Sequence, residues 1–147
     1  MIKTRRNNII IAVSALLIYL FAQQAENFNE KTATASGTSA TLQQLFAEQK
    51  SDVQVKGTGV VKKVLPDDRK GSKHQKFILQ TSPQQTVLVA HNIDVAYRLP
   101  GLKEGDTVGF YGEYEWTKPG GVIHWTHRDP GGRHINGWLE YNGKKYQ

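Results

Sequence analysis

The chain has 147 residues, 38% of them hydrophobic, enough for one modest domain with a single core. The net charge of +6 is uneven: Lys3, Arg5 and Arg6 precede every acid, and beyond Ala25 sixteen basic residues face thirteen acidic ones, a surplus of three. A surplus that small gives no case for nucleic acid by mean charge alone, and the lack of cysteine excludes disulfides, lipid attachment and thiolate chemistry.

Behind a basic MIKTRRNN head, Ile9 to Phe21 is an uncharged run of thirteen apolar or small residues, the n-region and h-region pattern of an export signal. At about 1.5 Å per residue it spans roughly 20 Å, less than the ~30 Å hydrocarbon core, which favours a processed signal over a comfortable membrane span. Cleavage after Ala22 or Ala25 places Leu20 or Gln23 at the third position back, where a small residue is preferred. Residues 1–25 are therefore read as a signal peptide or an uncleaved N-terminal anchor. Either places the remainder in the periplasm or outside the cell, held at the inner membrane if the leader stays. Glu26 to Ala40 is polar and rich in Thr, Ser and Ala, too poor in apolar area to offset its ordering entropy, and reads as a flexible linker over 26–40.

The domain is expected over 41–147. Thr41 stands three residues before Gln44 in a capping-box pattern, and Leu42, Leu45, Phe46 and Gln49 share one side of a short helix. From Val53 the period changes to two. Val53, Val55, Gly57, Gly59 and Val61 alternate with Gln54, Lys56, Thr58, Val60 and Lys62 in a strand whose glycines permit a sharp coil. Pro66 to Gly71 reads as a loop, Phe77-Ile78-Leu79 as the centre of a second strand, Thr86 to Ala90 as a third, and Asn92 to Arg98 as a short helical or irregular crossover. Thr107 to Trp116 alternates clearly, with Val108, Phe110, Gly112, Tyr114 and Trp116 facing inward. Lys118 to Gly121 turns into a fifth strand, Val122 to His127, with Ile123 and Trp125 on the apolar face. A terminal hairpin follows.

Five strands, a glycine-bearing first strand and an insertion between the third and fourth match an all-β, OB-like Greek-key barrel carrying a short N-terminal helix. Leu102, Gly105, Asp106 and Val108, followed by Gly112 and Glu115, fit the same order. From about Gly57 to Tyr146, with GDTVGFYGEYEW, VIHWTHRDPGGRH and GWLEYNGKKY, the chain resembles an uncharacterised family of exported bacterial proteins, a domain of unknown function similar to the OB superfamily. The resemblance implies an exported small barrel and carries no catalytic roles.

His124 to His134 (HWTHRDPGGRH) concentrates three histidines, two arginines and an aspartate around a turn. With Ile123 and Trp125 inward, His127 falls at the barrel rim and His124 on the outer face near Glu115, with Thr126 near Glu113. Two readings follow. His124, His127, Arg133 and His134 offer donors beside aromatic surface for an anionic group, with Asp129 shaping the Asp-Pro-Gly turn. Alternatively His127, Asp129 and His134, with His91 as an addition, converge on a catalytic metal of a hydrolase. Glu113 and Glu115, about 7 Å apart on one strand face, are a third and weaker pair.

Basic residues also crowd the first loop. Lys70, Lys73 and Lys76 stand where an OB-fold's first hairpin touches oligomeric ligands, and Tyr111 on the outer face of the fourth strand supplies a stacking surface. The leading expectation is thus an exported binding module for an anionic oligomer, single-stranded nucleic acid or glycan. It requires no cofactor or metal and meets the membrane through its leader if that is uncleaved. The metal-assisted hydrolase is the first alternative, and a domain that pairs with an envelope protein is the second.

Overall fold

The computed structural model describes residues 41–147. The expected signal or anchor and the linker lie outside the described residues. Residues 41–47 form a helix, α1, followed by β1 (Val53–Asp68), β2 (His74–Ser82), β3 (Gln85–Asn92), β4 (Thr107–Glu115), β5 (Val122–His124), β6 (Trp138–Tyr141) and β7 (Lys144–Tyr146). The sheet order is β1-β2-β3-β5-β4-β6-β7, and β1 also pairs with β4, so five strands close a ring. All ladders are antiparallel except β3–β5. The all-β barrel with one short helix is as the alternation requires.

β1 makes closure possible because it serves two neighbours: Val53–Val60 pairs with β4, and Val60–Asp68 pairs with β2. The change of partner needs a strong coil, and Gly59 provides it. A Cβ there would stand 2.9 Å from the Gln80 carbonyl oxygen and 3.2 Å from Leu79 Cβ. β1 runs six residues beyond the expected Lys62. Pro66, expected to open a loop, lies instead where the β1–β2 register shifts between Leu65 and Asp68, a bulge that asks no ladder bond of proline.

Inward residues alternate as expected. Val55, Val61, Phe77, Val89, Phe110 and Tyr114 are among those filling the barrel, while Val60 and Val64 face out. The helix packs Leu42 and Leu45 into the same core and stacks Phe46 on Trp116 at 6.2 Å. Gln49 does not join that face: it is exposed, with φ of 53° just past the helix end. The crossover after β3 is irregular, held by Gln75, whose buried amide both donates to and accepts from the Leu99 backbone. The terminal hairpin turns on Asn142 and Gly143, both at positive φ, the two-residue turn that right-twisted strands favour.

One expected strand is much shorter. β5 ends at His124 because Trp125 takes φ of 50°, a conformation that a bulky side chain rarely adopts. Alternation is thereby reset. Trp125 leaves the core, and Thr126, expected on the outer face, is completely buried. The β4–β5 register also sits two residues from the expected one, with Glu113 opposite His124 and Glu115 opposite Val122, since the turn between the strands is wider than Lys118 to Gly121.

Candidate functional site

β5 and β6 lie in succession along the same edge of β4, and the chain between them, residues 125–137, must leave the sheet and return. It does so around Asp129. That carboxylate accepts backbone N–H bonds from Gly131 at 2.9 Å, Arg133 at 2.7 Å and His134 at 2.9 Å, which hold its pKa below the ordinary aspartate value. Asn136 accepts the Asp129 N–H at 2.9 Å, and Gly137 N–H donates to the His127 carbonyl, closing the excursion. Gly137 is the point of re-entry, where a Cβ would run into the carbonyl oxygens of Trp125 and Tyr111.

The loop so built carries His134 back onto β4. His134 Nε2 donates to Glu113 Oε2 at 2.8 Å, its Nδ1 donates to the Ile135 carbonyl at 2.9 Å, and its ring lies on Trp125 at 4.1 Å and 7°. Desolvation acts to lower its pKa, but the bonds to Ile135 and Glu113 and the charges of Glu113 and Asp129 outweigh it, and the pKa is raised. With both ring nitrogens donating to acceptors, the favoured form is the imidazolium, stacked on an indole face.

Beneath this lid, the outer face of β4 presents Glu113 and Glu115 to His124 of β5. His124 Nε2 stands 3.3 Å from Glu113 Oε1 and 3.7 Å from Glu115 Oε1. Strand alternation placed His124 on this outer face near Glu115 but put Thr126, not His124, near Glu113. In the structure His124 directly opposes Glu113.

The metal triad expected from His127, Asp129 and His134 is not assembled. Asp129 is committed to three backbone N–H groups, His134 to Glu113, and His127 is buried with Nδ1 donating to the Arg128 carbonyl at 2.7 Å. Among the described residues the one group of potential ligands drawn together is Glu113, Glu115 and His124. His91, the proposed addition, is wholly buried, with Nδ1 bonded to the Thr126 hydroxyl and Nε2 to the Tyr97 carbonyl. Burial lowers its pKa to about 4 and keeps it neutral.

Two adjoining grooves open across the outer face. The larger, about 410 Å³, is lined by Asp68, His74, Lys76, Leu88, Glu115 and His124 among others; the smaller, about 180 Å³, adds Asn92, Trp125 and His127. Lys76 of the first hairpin thus meets the histidine segment. Lys70 and Lys73 do not reach the grooves: Lys70 is exposed in the loop, its N–H bonded to Asp68, and the Lys73 ammonium pairs with Asp94 at 3.8 Å. Arg133 is exposed, engaged by its backbone in the Asp129 turn. Tyr111 lies farther along β4 beside Trp138, whose ring has Lys145 at 4.5 Å and Lys56 at 5.7 Å.

Sequence reasoning missed His74, Trp125 as a groove wall, and the Lys56–Trp138–Lys145 group. His74 enters the site through the β2–β3–β5 order, a long-range pairing without local signature. Trp125 is displaced by one backbone dihedral that no alternation anticipates.

Residues 25–147 match the family model described as Protein of unknown function (DUF3465). No curated protein matches the chain.

Proposed function

Since the chain belongs to DUF3465, a family that brings no activity with it, we propose, from the leader-like N-terminal sequence for export and from the site for the ligand, that this is an exported binding module for an anionic oligomer, single-stranded nucleic acid foremost. The observation that carries the reading is the convergence of Lys76 and His74 of the first hairpin with His124, Trp125 and His127 of the histidine segment along one pair of grooves. Lysine and imidazole donors track a phosphate backbone, and indole or phenol faces accept bases by stacking. His74 has its Nδ1 bonded to the Ser72 carbonyl at 2.8 Å, which fixes the ring at the groove edge. Lys70, exposed two residues from the groove-lining Asp68, and the Tyr111–Trp138 surface with its two lysines extend the footprint along a strand. Asp68 and Glu115 line the larger groove with the opposite sign, and set where on that face an anion settles.

Fluorescence anisotropy with a labelled oligothymidylate tests this. Binding should weaken steeply as salt rises, and Lys70→Ala with Lys76→Ala should flatten the log–log salt slope by roughly 0.7 per lysine lost. A polyuronate that competes as well as the oligonucleotide would move the assignment to acidic glycans. No binding of either polymer at low salt, or a slope the two substitutions leave unchanged, rejects the reading.

A further inference from the structure

We infer that Glu113, Glu115 and His124 form a binding site for one divalent transition-metal ion, zinc in the first instance, on the outer face of β4 and β5. The three residues each offer one ligand atom, and these atoms all lie within 4.8 Å of one another. The 3.3 and 3.7 Å separations of His124 Nε2 from the two carboxylates fit the spacing of neighbouring ligands around a tetrahedral ion, about 3.3 Å for bonds near 2.0–2.1 Å. One imidazole nitrogen with two carboxylate oxygens is a borderline donor set that suits zinc better than magnesium or calcium.

A second observation concerns the same imidazole. His124 Nε2 is shielded from solvent and, although 3.3 Å from Glu113 Oε1, does not meet it in hydrogen-bond geometry, an arrangement that native proteins rarely leave so. Gln54, paired with Glu113 across β1 and β4, likewise has both amide atoms shielded and unpartnered. Orphaned polar atoms therefore flank Glu113 on both neighbouring strands. A cation bound by the Nε2 lone pair and the two carboxylates removes the first of these deficits.

The surroundings also orient the ligands. Glu113 gives Oε2 to His134 at 2.8 Å and so turns Oε1 toward His124, the kind of outer hydrogen bond that fixes a ligating carboxylate. Trp125 and the Asp129-centred turn in turn hold His134. Three protein ligands leave a fourth position, and because Glu115 and His124 both line the larger groove, that position is accessible to water or to an anionic group bound there. The site needs none of the lysines of the oligomer reading, so either can fail alone.

Full-length protein, stripped with chelator, is titrated with zinc chloride at neutral pH by calorimetry, and cobalt(II) substitution is followed by its visible absorption. One equivalent of zinc should bind, and cobalt should give the strong d–d band of a four-coordinate site. Glu115→Gln and His124→Gln should each weaken zinc on the order of tenfold or more, with circular dichroism unchanged, while Glu104→Gln, an exposed acid elsewhere, binds as wild type. Glu115→Gln is nearly isosteric and half-exposed, which keeps a folded variant in hand. No saturable zinc uptake, or stoichiometric uptake that neither substitution weakens, overturns the assignment.

Discussion

His91 shows how much one buried residue can bind the core to the site. Its ring joins Thr126, the first residue after the strained Trp125, to the Tyr97 carbonyl, and desolvation keeps it neutral with a pKa of about 4 against an ordinary 6.5. The unfolded chain therefore binds more protons between those values, so stability is full above about pH 6.5 and falls as pH drops toward 4. From pH 7 to pH 5 this one group should remove about 2 kcal/mol, read by urea denaturation at the two pH values. His91→Gln lowers stability at neutral pH but should lose most of that pH dependence; an unaltered slope in the variant would assign the effect to other groups. Asp129 makes the contrasting point. It is the acid most suggestive of chemistry in the sequence, and three backbone N–H bonds commit it to shaping a turn.

Residues 125–137 behave as one element although they contain no regular structure. Their path is set by the positive φ of Trp125 at the exit, the Asp129 carboxylate in the middle and Gly137 at the return, and their product is the contact between His134 and Glu113. Gly137→Ala should cost about 2 kcal/mol or more, because the added methyl meets backbone oxygens on two elements that cannot yield separately. In a domain of this size that is a fall in Tm on the order of 10 °C, measurable by thermal unfolding. Gly132→Ala, at φ of 63° with open space around it, should cost less, about 1 kcal/mol of backbone strain. Equal losses at the two glycines would mean that the return of the loop is not sterically fixed.

For the whole molecule, ring closure is uneven. β1 and β4 meet over eight register pairs, whereas β3 and β5 close the barrel through two, Leu88 with Val122 and Val89 with Ile123. The barrel should therefore open at β5 first. Hydrogen exchange is expected to show protection at β5 amides at least an order of magnitude below that of the β1–β4 ladder. Uniform protection around the ring would show instead that it opens only as a unit. The weak seam coincides with the groove wall that carries His124, so a ligand or ion held there should raise protection at β5 before elsewhere.

Alternation in β1 to β4 was enough to name the inward set, since a half-buried strand repeats every two residues whatever its partners, and Val108, Phe110 and Tyr114 are buried accordingly. The same local rule placed His124 on the outer face near Glu115, though not opposite Glu113, where the wider turn sets it. It failed from Trp125 onward, where a single dihedral reverses the faces, and it could say nothing of His74 and Lys76 joining His124, because strand order is decided by burial summed over the closed ring. The sequence by itself determined a cysteine-free β barrel and its facing pattern. Only the tertiary structure decided which polar groups share a site, because a groove across β2, β3 and β5 depends on contacts between residues some fifty positions apart in the chain.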